Sequence, residues 1–268
     1  MAKKQIPVTV QRVATGAVAF IELPLGPTYE GLNFNMTGTG LVATMVDNIK
    51  LIGNSQELQT YLNLAQLIDM NTYHGRMIDT PADWFMYLSN PDYNELAEEQ
   101  MESIGTADLN SLTIEITLNG TWPANGTITC IAHIDTEQQS LGVFNRIRQT
   151  VINSAVAGDI EFDKIARNGA IYKQIHFFKA DVNKIILEAD GVKVYDASKA
   201  QLERGQKNVR PFARVPITAK ATHLDFVLSG FYGDLLKTEG MNDLRARLTL
   251  GSAGAVQVVT EQLDKLVN

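Results

Sequence analysis

The chain has 268 residues, 45% hydrophobic and 20% charged, values that exclude intrinsic disorder and leave one large domain or two compact halves of about 130 residues. Its 20 Gly and 8 Pro are too few for a collagen-like or low-complexity chain. The net charge of −7 hides an uneven distribution: residues 1–140 carry 5 Lys and Arg against 16 Asp and Glu, a balance of −11, whereas residues 141–268 carry 18 against 14, a balance of +4.

Residues 1–11, with Lys3, Lys4 and Pro7 before a short alternating stretch, read as an exposed, weakly basic arm. The arm holds too few cations to package a genome, because a strong nucleic-acid binder neutralises many phosphates. No run approaches the ~18 apolar residues of a membrane span, and no apolar leader follows the first lysines, so a soluble chain is expected.

Short segments rich in β-branched and aromatic residues predict strands near 17–23, 28–36, 45–52, 73–79, 83–89, 111–118 and 126–134. Leu112 to Leu118 alternates strictly, with Leu112, Ile114, Ile116 and Leu118 on one face, the pattern of a half-buried antiparallel strand. Asn119-Gly120 and Asn125-Gly126 supply turn chemistry around Trp122-Pro123. Two helices are expected between strands. One is signalled by Asn54 and Glu57 as a capping pair, followed by Leu58, Tyr61, Leu62, Ala65 and Ile68 at helical spacing as far as Asp69. The other should run from Pro91 to Gly105 with Asp92, Glu95, Glu98, Glu99 and Glu102 as an acidic face. The single cysteine, Cys130, shares a strand face with Ile128, Ala132 and Ile134 and reads as a buried, inert thiol.

The second half runs through the same elements again. Val46-Asp47-Asn48-Ile49-Lys50-Leu51 returns 136 residues later as Val182-Asn183-Lys184-Ile185-Ile186-Leu187, each followed by a glycine turn, at Gly53 and Gly191, and then a helix. Ile21-Glu22-Leu23 is echoed by Ile160-Glu161-Phe162, Tyr29 to Phe34 by Tyr172 to Phe177, Trp84 to Ser89 by Leu224 to Ser229, and Leu112 to Leu118 by the alternating strand Leu244 to Leu250. Apolar alternation makes any two strands look alike, but five matches in one order at nearly constant offset define a duplication. The expected architecture is all-β: a residual arm at 1–11, a first jelly roll over 12–140 and a second over 141–268, each an eight-stranded sandwich with short helices in its connecting loops. Seven to eight strands per half with interspersed helices favour this arrangement over an immunoglobulin-like sandwich.

Three stretches carry a resemblance to a known family: Ile21-Glu22-Leu23-Pro24-Leu25-Gly26-Pro27-Thr28-Tyr29-Glu30, Asn145-Arg146-Ile147-Arg148 at the opening of the second half, and Val182 to Gly191. Over nearly its whole length the chain resembles the double jelly-roll major capsid proteins of tailless icosahedral bacteriophages with an internal membrane, the corticovirus type most of all. The resemblance implies a non-enzymatic protein of the virion, made in the host cytoplasm, that forms homotrimers. Their six lobes make a pseudo-hexagonal tile, and tiles would meet one another, penton or vertex proteins, and the viral membrane or its proteins, without reading nucleic-acid sequence.

Within such a tile, unlike lobes alternate and an acidic lobe meets a basic one at each contact. Arg146, Arg148, Arg167, Arg204, Arg210 and Arg214 are the basic interface candidates, because guanidinium suits bidentate pairing. The acidic candidates Asp92, Glu95, Glu98, Glu99 and Glu102 are also the only candidates for a structural Ca²⁺, although no Asp-x-Asp-x-Asp-Gly loop is present. No cofactor is otherwise expected. The histidines His74, His133, His176 and His223 are far apart in sequence and none has a partner at ligand spacing, which gives a zinc site little support. No His-Glu-x-x-His, Gly-x-Ser-x-Gly or phosphate loop occurs, and Gly38-Thr39-Gly40 lacks the third glycine and following helix of a dinucleotide site. The competing expectation is a receptor- or carbohydrate-binding jelly-roll protein, such as a viral spike or a lectin.

Overall fold

The structure, a computed structural model, describes residues 4–76, 79–163, 165, 169–209 and 213–266. It divides into two compact units, one of residues 1–72, 76–147 and 264–268, the other of residues 73–75 and 148–263.

The first unit contains β1 (Lys4–Val8), β2 (Val10–Gln11), β3 (Val18–Glu22), β4 (Thr28–Thr37), β5 (Val46–Gly53), β6 (Gln56–Tyr61), α1 (Leu64–Tyr73), β7 (Asp83–Tyr87), α2 (Leu96–Met101), β8 (Leu112–Leu118) and β9 (Thr127–Asp135). The second contains β10 (Phe144–Ser154), β11 (Gly158–Phe162), β12 (Ile171–Phe178), β13 (Val182–Ala189), β14 (Val192–Ser198), α3 (Lys199–Asn208), β15 (Thr222–Asp225), β16 (Leu236–Lys237), β17 (Leu244–Leu250) and β18 (Gly254–Asp264). The last residue of α1, the first four of β10 and the last of β18 fall on the other side of the division from the rest of their elements.

The two units repeat one strand order. In the first, one sheet runs β1-β9-β4-β7 and the other β6-β5-β8-β3-β2; in the second, β10-β18-β12-β15 and β14-β13-β17-β11. Counterparts occupy the same places, and each unit is a two-sheet sandwich of eight principal strands, a jelly roll. The duplication extends to irregularities. Strand β5 is bulged against β8 between Val46 and Asn48, and β13 is bulged against β17 between Val182 and Lys184, the same two positions 136 residues on. A bulge re-aims a strand, so its repetition means that both copies bend at the same place. Beyond it, Ile49 faces Ile116 and Leu51 faces Ile114, as Ile185 faces Leu248 and Leu187 faces Ala246.

Alternation decides the core. Leu112, Ile114, Ile116 and Leu118 are buried, and so are Leu244, Ala246, Leu248 and Leu250 in the counterpart strand. The second core gathers Phe162, Ile185 and Leu187 from one sheet with Ile175, Phe177, Leu224 and Val258 from the other. In the first unit Trp84 stacks on Phe34 with ring centres 4.0 Å apart, and Gly31 leaves room beside it for Phe85, whose ring would lie 2.3 Å from a Cβ at that position. The Pro24-to-Tyr29 turn is closed from within, Tyr29 donating its hydroxyl to the Pro24 carbonyl at 2.6 Å.

Several local expectations are corrected. Asn54 does not cap a helix: Asn54 and Ser55 adopt φ of 47° and 65° and form the two-residue turn of the β5–β6 hairpin, matched by Asp190 and Gly191 at 48° and 77° between β13 and β14. Leu58 and Tyr61 therefore serve a strand, and the helix starts only at Leu64. In each copy a strand lies between the turn and the helix. Among the described residues of the expected strand at 73–79 none is in a strand, since Tyr73 ends α1; residues 77 and 78 lie outside the described residues. Helix α2 spans only Leu96–Met101 of the expected 91–105. From Lys4 onward the N-terminal segment is no free arm: β1 pairs with β9 from Lys4↔Ile134 to Val8↔Cys130, and residues 1–3 lie outside the described residues. Pro7 is tolerated there because β1 is an edge strand.

Candidate functional site

The six arginine candidates separate by burial. Arg148 and Arg204 are exposed on the second unit. Arg146 is buried in the first unit, its Nε 3.2 Å from Asp264 Oδ2 and its guanidinium over the Phe144 ring. Arg214 cannot face a partner, because its side chain is fully buried and its Nε donates to Asp225 Oδ2 at 2.8 Å. Arg167 and Arg210 lie outside the described residues.

The acidic candidates do not form one solvated face. With α2 only six residues long, Asp92 and Glu102 fall beyond its ends and turn inward. Asp92 accepts from Arg76 Nη2 at 3.1 Å, and the same nitrogen bonds Asn90 Oδ1, while the Arg76 guanidinium lies over the Tyr87 ring. Burial, with Glu102 alongside, drives the Tyr93 hydroxyl well above the ordinary phenol range. Glu95 is exposed, and Glu98 and Glu99 are half-buried. A carboxylate already neutralised by a guanidinium is a poor calcium ligand, and among the described residues no group of three His, Cys, Asp or Glu side chains is placed to hold a metal.

The histidines are the largest departure from the sequence reading. His74, His176 and His223 meet in the second unit around Glu261. His176 on β12 and His223 on β15 are directly opposed in the strand pair, with their Nδ1 atoms 2.7 Å apart. His176 Nε2 and His74 Nε2 lie 3.1 Å and 3.5 Å from the same Glu261 oxygen. Beside them a second buried carboxylate, Asp225, gathers Arg214, the Tyr73 hydroxyl at 3.0 Å, Gln174 Nε2 at 2.9 Å and the Val227 amide at 2.8 Å. Tyr73 stacks on His223 with ring centres 3.9 Å apart. Burial pulls the His223 pKa well below its ordinary value, helped by repulsion from the other histidines. Hydrogen bonds from His176 and His74 overcome burial and hold Glu261 well below the carboxylate range. The available signal was polar residues in apolar strand positions, Gln174 and His176 in one strand and His223 and Asp225 in another. Their partnership across 47 residues has no local signature. The fourth histidine, His133, packs edge-on against Phe85 in the first unit.

Nothing in this arrangement presents chemistry to a substrate. His176, His223 and Glu261 are 0%, 1% and 3% exposed. Burial pushes the Cys130 thiol to about 12, so no thiolate forms near neutral pH. Trp84 and Trp122 are both buried, and the groove lined by Pro7, Val8, Glu22, Leu23, Pro24 and Leu25 offers no aromatic ring on which a sugar could stack.

Comparison with known proteins follows the same two-part division. Residues 5–135 match the family model of the viral coat protein P2 N-terminal domain, and residues 144–266 match that of the C-terminal domain. The chain is 23% identical over 264 residues to the major capsid protein P2 of Pseudoalteromonas phage PM2, covering 95% of this chain and 94% of the relative. The crystal structure of that bacteriophage PM2 protein superposes with a TM-score of 0.91 at 20% identity, over 100% of this chain and 99% of the other. A chain of Sulfolobus Turreted Icosahedral Virus gives 0.67 at 13% identity, covering 97% and 90%, and the Faustovirus major capsid protein gives 0.67 at 7%, covering 100% and 90%. With one family model on each jelly roll and the same fold from end to end, the chain belongs to the viral coat protein P2 family and is a corticovirus-like bacteriophage major capsid protein.

Proposed function

We propose that the protein acts as a non-enzymatic shell subunit, three copies of which form a pseudo-hexagonal tile of six lobes over an internal viral membrane. The observation that carries this reading is the duplication itself: two eight-stranded sandwiches with one strand order in a chain of the coat protein family. A threefold ring of such subunits presents a nearly sixfold outline, which lets tiles pack in a closed lattice. The charge balances of −11 and +4 in the two halves supply complementary surfaces, with Arg148 and Arg204 among the exposed basic contributors. Complementarity of this kind steers encounter and fixes the order of lobes more than it adds affinity. Neighbouring tiles, vertex proteins and the membrane or its proteins are the partners of the assembled shell, and synthesis takes place in the host cytoplasm. No cofactor is needed, so a chelator should leave the thermal transition unchanged; a fall on chelation would assign a structural Ca²⁺ instead.

The test is light scattering and negative-stain microscopy of the purified protein across a salt series. Near-hexagonal trimers that weaken as salt rises support the reading, and replacing Arg148 and Arg204 with Glu should weaken them further at low salt. Trimers equally stable at every salt concentration remove the electrostatic role. Monomers that bind a glycan array would replace the capsid reading with the receptor-binding one.

A further inference from the structure

We propose that the histidine cluster of the second unit is an acid-triggered latch that holds β15 against β12 and lets go when His176 and His223 are both protonated.

The argument begins with proton counting. Two ring nitrogens 2.7 Å apart share a hydrogen bond only if one carries a proton and the other offers a lone pair. The two Nδ1 atoms of His176 and His223 therefore hold one proton between them. Glu261 Oε1 is an acceptor, so the Nε2 atoms of His176 and His74 that face it each carry a proton. His176 can then bear a positive charge, balanced by the Glu261 carboxylate, only while His223 stays neutral. A proton on both rings places two N–H donors and two cations face to face.

The surroundings do not absorb a second charge. Among the described residues His223 Nε2 is buried with no hydrogen-bond partner, and the Tyr73 ring covers the imidazole. Lys173 on β12 is buried, and Lys199 on α3 adds repulsion at His223. The other nearby carboxylate, Asp225 on β15, is already engaged by Arg214, Tyr73, Gln174 and the Val227 amide. Glu261 on β18 thus faces His74, His176 and the nearby Lys173 as the counter-charge of the cluster. Among the described residues the second proton has no partner, and separating the strands is the way to hydrate it.

The direction of the pH effect follows. His223 has a lowered pKa when folded, so its contribution is complete above the ordinary histidine value of about 6.5 and declines as pH falls below it, because the opened state takes up a proton that the closed state refuses. Glu261, also lowered, loses its contribution only below about pH 4.5, so a change that begins near 6.5 belongs to His223.

Hydrogen exchange followed by mass spectrometry from pH 8 to 5, corrected for the intrinsic pH dependence, tests the latch on the full chain. Protection of β12 and β15 should fall about tenfold per pH unit below 6.5, while their counterparts β4 and β7 in the first unit keep theirs. In a His223→Gln variant, which keeps a polar side chain but cannot charge, the pH dependence should vanish. Imidazole NMR on the unaltered protein gives a second readout should that variant fail to fold. There, His223 should remain neutral until the exchange change sets in. Protection independent of pH, equal loss in both units, or two imidazoles that titrate near 6.5 with β12 and β15 still paired would each overturn the proposal.

Discussion

Arg214 distinguishes a surface arginine from a structural one. Replacing it with Met removes the guanidinium but keeps an unbranched apolar stem. What remains is the Asp225 carboxylate, fully buried, with Tyr73, Gln174 and the Val227 amide still donating to it but no cation beside it. Removing one partner of a buried pair costs about 3–5 kcal/mol, far more than the pair contributes over an apolar substitute, because an uncompensated charge stays behind. In a unit of this size each kcal/mol lowers the thermal transition by about 3 °C, so the second unit should melt roughly 10 °C lower. The double variant Arg214→Met with Asp225→Asn removes the stranded charge and should recover part of that loss, the sign expected of coupled neighbours. Calorimetry resolves the two units, and scattering measures trimers below the transition. If Arg214→Met leaves the second transition within 1 kcal/mol of the parent and dissociates the trimer instead, the buried-pair reasoning fails and the residue belongs to an interface.

Two further outcomes follow from packing. Gly31→Ala places a methyl group 2.3 Å from the Phe85 ring, an overpacking that should cost about 1–3 kcal/mol in urea titrations without altering the second unit. Cys130, with its thiol raised by burial to about 12, should resist a thiol reagent at pH 8 in the folded protein and react stoichiometrically once denaturant is added; rapid labelling of the native chain would contradict its burial.

Much of the architecture was legible because it is written in short-range periodicity. Strict alternation at Leu112–Leu118 and Leu244–Leu250 identifies a half-buried strand wherever it occurs, and its return 132 residues later reveals the duplication before any contact is known. The hairpin at Asn54–Ser55 was misread because Leu58 and Tyr61, three apart, satisfy a helix as well as a bulged strand, and only pairing with β5 separates the two. Strand β1 was missed for a related reason: an exposed edge strand containing Pro7 has little apolar alternation of its own, and its order comes from the hydrogen bonds that β9 offers it.

The fold class, the two-part division and the opposite charge of the halves are legible in the chain alone, since these depend on composition and on neighbours a few residues apart. Which charges reach solvent follows only from how the strands pack. That packing buried Arg214 and Asp92 against partners and left Arg148, Arg204 and Glu95 in solvent. It also drew His74, His176, His223 and Glu261, spread over 187 residues, into one network. A polar side chain looks the same in a sequence whether it meets water or a buried counter-charge. The difference lies in which strand becomes its neighbour, and in a jelly roll that neighbour is almost always remote in the chain.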